Sequence, residues 1–425
     1  MTKPTTVRWR ILALLTVAGF VMYVLKTNMS IAGKGLMPGL GLSQIQFGVV
    51  LAAMNLGYAI FQFPGGLFGD RFGARRTLTL LAVAWGLFTL LTGLVPATGA
   101  ALAYLIGVQF LLGSAMAPLY PVTGGGTTCA WFPVAGWAFP TGLQNAGLTL
   151  GTAAAAPLVA WILDWLGWRQ SFFVTAPLAF GLAAFWWWYV RDSPGQHPSC
   201  NAQEIALINE GRRATGAFPQ TGLWKLLIRD RNVLLLTVSY FCDCYVFYFF
   251  SNWIFLYLVD GRGFKVLEGG LLSSLPWLTG TVTAVLGGLV CDRVSRRVGM
   301  GKGCRRTAAL GMVSVAVLVA AASGVRSPIA AVLLLALALG GQQFSDASYW
   351  AAAISVSGPN ASAACGVMNT GGNVVGSVAA LVIPLLVKRF GWGAALASGA
   401  AFALVAAVLW IWIRADEPIE MEEVA

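Results

Sequence analysis

One basic side chain, Lys26, stands near the middle of the apolar stretch YVLKTNMSIAGKG at residues 23–35. A charge inside a segment that can cross a bilayer costs about 3 kcal/mol or more, so such residues mark ion or substrate pathways. Two acids have a similar setting, because Asp243 lies in YFCDCYVFYFF and Asp346 lies in GGQQFSDASYW. Groups of these types could bind a charged solute, hold an ion or exchange protons.

Several uncharged polar side chains also lie in or beside apolar segments, where each needs a partner, and they are candidates for lining a solute pathway. They are Tyr23, Asn28, Gln109, Tyr120, Asn145, Tyr240, Gln342, Gln343, Asn369 and Asn373. Asn369 and Asn373 are four residues apart and so share one helix face. Cys242 and Cys244 flank Asp243 but point to different faces, so we predict no metal site there.

The composition places the chain outside the soluble proteins. It has 425 residues, of which 58% are hydrophobic and 10% are charged, and its mean hydropathy is +0.75. Soluble domains carry about a quarter charged residues, so this composition is typical of a membrane protein with several spans. There is no P-loop, no metal-binding histidine pair and no nucleophile with a base, and we expect neither an enzyme nor a cofactor. Seven scattered cysteines do not predict a disulfide framework.

Apolar runs near 20 residues predict an all-α polytopic membrane protein with twelve transmembrane helices in two six-helix halves. The first six spans lie at about 10–32, 45–68, 77–96, 100–121, 138–161 and 171–190. The second six lie at about 232–258, 267–291, 307–324, 328–352, 364–387 and 393–413. The predicted domains are therefore an N-terminal half at 1–190, a cytoplasmic linker at 191–231 and a C-terminal half at 232–425.

The distribution of basic residues predicts the topology. With both termini in the cytoplasm, 19 of the 27 lysines and arginines lie in cytoplasmic segments and 7 lie in outer segments. This bias follows the positive-inside rule, and we expect an integral protein of the bacterial inner membrane. The net charge of +11 is explained by the same loops, so no nucleic-acid partner is implied.

A glycine-rich, basic loop occurs twice, as GGLFGDRFGARRT at 65–77 and as GGLVCDRVSRRVGMGKGCRRT at 287–307. Each copy follows the second span of a half, which is the kind of internal repeat from which transporters are built. Glycines allow close helix packing, Asp70 can accept charge-assisted hydrogen bonds, and the arginines hold the membrane surface. The predicted gating motif comprises Gly69, Asp70, Arg71, Gly73, Arg75, Arg76, Asp292 and Arg293.

With this loop the sequence resembles the major facilitator superfamily, and more closely its anion:cation symporter branch of sugar-acid, phthalate and vesicular glutamate carriers. The matching segments include RWRILALL, NMSIA, LGLSQIQFG, FQFPGGLFGDRFGARR, APLYP, WFP, DSPGQHP, YLVDGRGF and GVMNTGGNVVGS. The resemblance implies a secondary transporter that moves a small organic anion by alternating access. His197, the only histidine, falls in DSPGQHP, and we expect it to be a loop residue without a role in transport.

The sequence departs from this family at charged positions. Members typically carry Asp-Arg where Leu25 and Lys26 stand here, and an arginine and a glutamate where Gln109 and Met116 stand. By resemblance, the missing acids serve proton coupling and the missing arginines meet an anionic substrate. If coupling persists, Asp243 or Asp346 must carry it, because a carboxylate in a partly dry cavity takes up a proton.

Two hypotheses for Lys26 remain open. By resemblance, Asp243 stands where vesicular glutamate carriers have a cavity-facing arginine, so Lys26 and Asp243 could pair across the two halves. Alternatively, Lys26 is an unpaired receptor for an anion.

Three functions are consistent with the sequence. The first is a carrier of a small organic anion, coupled to protons or another ion. The second is a carrier of a cation, metal ion or metal complex that uses Asp243 and Asp346. The third is a membrane sensor or assembly factor derived from a transporter. The expected partners are a small solute and the lipid bilayer, and no oligomer is implied.

Overall fold

The computed structural model describes residues 3–132, 138–209, 229–357 and 361–416, and most of these residues are helical. Helix contacts divide the chain into two units, Met1–Ala217 and Phe218–Ala425. The boundary between the units falls inside the predicted linker 191–231. The side chains of Asp70 and Asp292 lie outside the described part of the structure.

The first unit contains six long helices and a few short ones. The long helices are α1 (Val7–Leu40), α2 (Gln44–Phe72), α3 (Ala74–Gly93), α4 (Ala101–Met116), α5 (Ala138–Leu166) and α6 (Trp168–Tyr189). Between α4 and α5 lie a π-helical segment, Pro121–Thr128, and a single turn, Cys129–Trp131. After α6 come a 3₁₀ turn, Pro194–Gln196, and a short helix, Ala202–Asn209, called the linker helix below.

The second unit contains six further long helices. They are α7 (Arg231–Leu256), α8 (Val266–Val298), α9 (Met300–Gly324), α10 (Pro328–Ser357), α11 (Ala361–Phe390) and α12 (Trp392–Leu409). A π-helical segment, Tyr257–Gly261, continues α7.

The predicted class, an all-α polytopic membrane protein, is confirmed. Within the described residues, eleven helices are long and apolar enough to cross a membrane, and Ala101–Met116 is a shorter apolar helix of 16 residues. Several helices have bounds that differ from the spans predicted for them. Helix α1 is longer than the span at 10–32, and α9 begins at Met300 rather than at 307, because backbone hydrogen bonding continues into polar flanks. The α-helix of the fourth span ends at Met116, before Pro118 and Pro121, which lack the N–H that continues a helix.

The helices of each unit pair in the same way. In the first unit α1 packs on α5, α2 on α4, and α3 on α6. In the second unit α7 packs on α11, α8 on α10, and α9 on α12. The pairing recurs six helices later along the chain, as expected for a structural repeat.

Two glycines allow α5 to lie directly against the backbone of α1. A Cβ atom at Gly147 would clash with the carbonyl oxygen of Thr16, and one at Gly151 would clash with that of Phe20. Small residues four apart permit this kind of close crossing in membrane helices. Because Thr16 and Phe20 precede Lys26 on the same helix, this contact fixes the position of Lys26 relative to α5.

The start of α1 is capped by a residue distant in sequence. Its N-cap residue, Thr6, makes no side-chain capping bond, and the amides of Val7 and Arg8 donate instead to the Glu204 carboxylate, each at 3.2 Å. The Thr5 hydroxyl donates to the same carboxylate at 2.5 Å. Glu204 belongs to the linker helix and is fully buried. An anion is stabilised at a helix N-terminus, so Glu204 holds the linker helix against α1.

We predict that Glu204→Ala destabilises the first unit, because it leaves two helix amides and a hydroxyl without their acceptor. Hydrogen bonds to a charged group each contribute about 1.5–3 kcal/mol. The thermal unfolding midpoint in detergent should fall by roughly 2–4 °C for each kcal/mol lost. Glu204→Gln, which keeps an acceptor oxygen, should lose less.

The control for this experiment is Glu268→Ala. Glu268 is exposed in the first turn of α8 and accepts one backbone bond, from the Lys265 amide at 3.4 Å. An equal loss of stability in both alanine variants would contradict the capping role of Glu204.

Candidate functional site

The ammonium group of Lys26 lies in an aromatic setting inside the first unit. The Lys26 side chain is 3% exposed. Its Nζ atom lies 4.8 Å from the ring centre of Tyr58 and 5.2 Å from that of Tyr23. Aromatic faces attract a cation, and the attraction grows when water is excluded. The two rings therefore offset part of the cost of burying this charge.

Asn28 holds α1 to α6. Its amide nitrogen donates to the Thr175 hydroxyl at 2.9 Å, and its amide oxygen accepts from the Ser171 hydroxyl at 2.7 Å. All three side chains are buried. Both ends of the Asn28 amide thus stabilise the packing of two helices.

The other candidates of the first unit have different surroundings. Gln109 is buried, and its amide nitrogen donates to the Thr92 hydroxyl at 2.9 Å, which joins α4 to α3. Its amide oxygen has no hydrogen-bond partner within the described residues, and neither has the buried hydroxyl oxygen of Tyr120. Asn145 is exposed on α5. Unsatisfied buried polar atoms are rare in proteins, so Gln109 and Tyr120 are the better candidates for a ligand contact.

Asp243 lies at the centre of the second unit and is fully buried. Its carboxylate accepts from the amide nitrogen of Gln342 at 2.6 Å and from the hydroxyl of Ser345 at 3.3 Å, both on α10. The amide oxygen of Gln342 has no hydrogen-bond partner in the described part of the chain. Within the described residues of its own unit, the partners of Asp243 are neutral donors.

Asp346 lies beside Asp243 and is half-buried. The hydroxyl of Tyr240 donates to it at 3.3 Å. Because α7 carries Asp243 and Tyr240 while α10 carries Gln342 and Asp346, the structure brings four sequence candidates together at one helix contact. Gln343 is half-buried on α10, where it packs against Gly280 of α8.

The asparagine pair of the second unit joins α11 to α7. The Asn373 amide oxygen accepts from the Tyr248 hydroxyl at 2.9 Å, and its nitrogen donates to the backbone oxygen of Asn369 at 2.8 Å. Both asparagines are half-buried. Their shared helix face was correctly expected from their spacing, and Tyr248 is the partner that the spacing did not indicate.

The first copy of the repeated loop, at 65–77, is anchored by the last turn of α6 and by the residues that follow it. Gly73 makes the turn between α2 and α3 with φ at 80°, a conformation that favours glycine. The Arg75 amide then donates to the Asp192 carboxylate at 2.8 Å, and its guanidinium donates to the backbone oxygen of Trp187 at 2.7 and 3.0 Å. Arg71 and Arg76 are exposed.

His197 is buried rather than exposed in the loop. Its ring makes edge contacts with Trp131 and Tyr189, at centre distances of 5.8 and 5.0 Å. Its Nδ1 atom accepts from the Ser199 amide at 3.2 Å. Burial, and after it the charge of Arg191, lowers the pKa of His197 below its ordinary value. The side chain thus packs as a neutral ring at the start of the linker.

Tyr58 and Ser345, which contact the buried charges of Lys26 and Asp243, are also absent from the residues predicted from the sequence. Tyr58 is the only tyrosine of α2, which was the available signal. Ser345 stands next to Asp346 and three residues after Gln342, so helical spacing could have added it to that group.

These features define an integral membrane protein of two six-helix units with ionisable groups buried in each. A family profile described as the Major Facilitator Superfamily matches residues 15–380. The chain belongs to this superfamily. The gating motif and the solute-lining residues remain predictions at the level of single residues.

Several named relatives match nearly the whole chain. It is 30% identical over 389 residues to a probable sulfoacetate transporter of Cupriavidus necator, covering 90% of this chain and 88% of that protein. It is 28% identical over 438 residues to a probable galactarate/D-glucarate transporter of Escherichia coli, covering 100% and 97%. A crystal structure of a D-xylose-proton symporter has the same fold, with a TM-score of 0.76 at 13% identity and coverage of 95% and 97%.

The hypothesis that Lys26 pairs with Asp243 predicts a non-additive effect of substituting both. If they pair, Lys26→Met or Asp243→Leu alone should cost roughly 3–5 kcal/mol, because each leaves a buried charge without its partner. The double variant should recover at least about 1 kcal/mol relative to the sum. Denaturant unfolding of the four proteins in detergent measures this coupling. If the two losses of stability are instead additive, Lys26 and Asp243 do not pair. The tyrosine rings around Lys26 and the neutral donors to Asp243 would then be sufficient to stabilise each charge.

Proposed function

We propose that this protein is a secondary transporter that moves a small organic anion across the bacterial inner membrane by alternating access, with both termini in the cytoplasm. The observation that carries the proposal is the ammonium group of Lys26, buried against two tyrosine rings. The named relatives support the cargo class, since sulfoacetate, galactarate and D-glucarate are all small organic anions.

The proposed anion receptor is Lys26 together with the rings of Tyr23 and Tyr58. A lysine presents a compact positive charge and lacks the bidentate fork of arginine. It can therefore attract a carboxylate or a sulfonate without matching the planar shape of a carboxylate. Gln109 and Tyr120 could add hydrogen bonds through their unsatisfied oxygens. The remaining proposed substrate-binding residues are Asn28, Asn145, Tyr240, Asp243, Gln342, Asp346, Asn369 and Asn373.

The proposed site of proton coupling is the pair of acids formed by Asp243 on α7 and Asp346 on α10. Burial disfavours the charged form of a carboxylate, and a nearby base would favour it. A buried carboxylate whose partners are neutral therefore takes up a proton more readily than one paired with a base. Asp243, held by Gln342 and Ser345, fits this description, and Asp346 lies beside it. Binding and release of protons at these acids would link transport to a proton gradient.

The gating motif is proposed to control the conformational cycle. Asp192 and Trp187 hold Arg75 at the start of α3, so the loop is fixed on that side. Arg71 and Arg76 are exposed, so both can contact other parts of the protein or the membrane surface. Asp70 is assigned to the motif from the sequence repeat.

A second candidate function is transport of a cation or a metal complex. Asp243, Asp346 and the unsatisfied amide oxygen of Gln342 are oxygen ligands, which hard cations prefer. The same acids would then bind the cargo instead of a coupling proton.

Uptake into proteoliposomes tests the cargo class, with radiolabelled sulfoacetate and galactarate as probes. We expect Lys26→Met to reduce anion uptake at least tenfold, because a positive charge of the binding site is lost, and Lys26→Arg to retain part of it. The matched control is Lys388→Met, since Lys388 is exposed in the last turn of α11. Uptake of a metal ion or organic cation without anion uptake would favour the second candidate. An absence of any flux would favour a sensor.

Proton coupling is tested by Asp243→Asn and Asp346→Asn. At the responsible site, the substitution should abolish accumulation driven by a proton gradient but leave counterflow exchange intact, because exchange needs no net proton transfer. Asp164→Asn is the control, as Asp164 is exposed near the end of α5. Accumulation that survives in both variants and in the double variant would remove these acids from coupling.

A further inference from the structure

The second copy of the repeated loop differs from the first in length. Gly69 is three residues before the end of α2, whereas Cys291, at the matching position, is seven residues before the end of α8. Likewise Ala74 begins α3, whereas Cys304, which also precedes Arg-Arg-Thr, is the fifth residue of α9. Each helix of the α8–α9 hairpin is therefore longer by four residues, or about one turn.

One cysteine, Cys291, lies just before the added turn of α8, the other, Cys304, lies just after the added turn of α9, and the two side chains meet. Their Sγ atoms are 3.7 Å apart, and the Cys304 Sγ atom is also 3.7 Å from the Sδ atom of Met300. Cys291 is 3% exposed and Cys304 is fully buried. Gly303 allows the two helices to approach here, since a Cβ atom at that position would clash with Ser295 of α8.

Cys291, Met300 and Cys304 form a sulfur cluster. The two distances from the Cys304 sulfur, 3.7 Å each, are close to those between sulfur ligands of one metal ion. Sulfur ligands placed about 2.3 Å from a metal at tetrahedral angles lie about 3.8 Å from each other. Thiolate and thioether donors are soft ligands, and they favour Cu(I) over hard cations such as Mg²⁺.

The surroundings also suit such an ion. Met300 is 43% exposed, so an ion can reach the buried thiols past its thioether. Two thiolates with one monovalent cation leave a net negative charge. Arg296, Arg297 and Lys302 lie on the added turns of α8 and α9 and are exposed, and their positive charges attract this net negative charge.

We propose that Cys291, Cys304 and Met300 form a binding site for one soft monovalent metal ion, Cu(I), at the turn between α8 and α9. The first copy of the loop has glycine and alanine where the two thiols stand, so the site belongs to the second copy only. Bound metal would join the two helices at the predicted gating motif of this unit. The site is separate from Asp243 and does not depend on which solute is carried.

The test is competition for Cu(I), kept reduced with ascorbate, between the full-length protein in detergent and the chelator bathocuproine disulfonate. A variant with alanine at Cys129, Cys200, Cys242, Cys244 and Cys365 keeps the sulfur cluster and should take up one Cu(I) per chain. Adding Cys291→Ala or Cys304→Ala should weaken binding at least 100-fold, and adding Met300→Leu should weaken it about tenfold.

Thermal unfolding shows whether each variant is folded. If the five-alanine variant does not fold, the wild-type protein and its Cys291→Ala/Cys304→Ala double variant are compared, and the double variant should bind one Cu(I) fewer. Equal Cu(I) uptake with and without the two cysteines would overturn the proposal. A folded five-alanine variant that takes up no Cu(I), or that binds Zn²⁺ more tightly than Cu(I), would also overturn it.

Discussion

A charge held away from water needs compensation from the atoms around it, and this requirement organises the interior of both units. The structure meets it in three ways. Two tyrosine rings surround the ammonium of Lys26, an amide and a hydroxyl donate to Asp243, and helix amides with a threonine hydroxyl donate to Glu204. In each case at least one compensating group lies on a different segment of the chain from the charge itself. The buried charges therefore constrain which helices pack together.

These compensations serve different ends. Glu204 is saturated by donors that are part of the fold, so its charge is structural. Lys26 lies against two aromatic rings, which attract a cation without neutralising it. Asp243 is held by neutral donors that tolerate both its charged and its protonated form. The groups proposed for transport are thus those placed against aromatic rings or neutral donors.

The sequence was sufficient for the fold because lipid leaves few options for the backbone. Long apolar runs must form helices, and the repeated glycine-rich loop indicates two related halves. Helix ends were less predictable, as α9 shows, because its first turns are polar and carry no hydropathy signal. Lys26 and Asp243 were recognisable because charges are rare in apolar runs. The capping role of Glu204 was not, since its partners lie 197 and 196 residues away along the chain. The use of the Asn28 amide between α1 and α6 also depends on packing that no local pattern shows.

The glycine contacts between α1 and α5 have a mechanical consequence for Lys26. The backbone of α1 packs directly against Gly147 and Gly151, which lie on two successive turns of α5. If α1 slid along α5, the carbonyl oxygens of α1 would clash with larger side chains. The axial register of the two helices is thereby locked, and the Asn28 hydrogen bonds prevent α1 from rotating away from α6. The backbone of Lys26 is then held in place by the packing of three helices, α1, α5 and α6. A solute that binds this ammonium must accommodate itself to a fixed point, so its length and the spacing of its polar groups, rather than adjustment of α1, determine whether it fits.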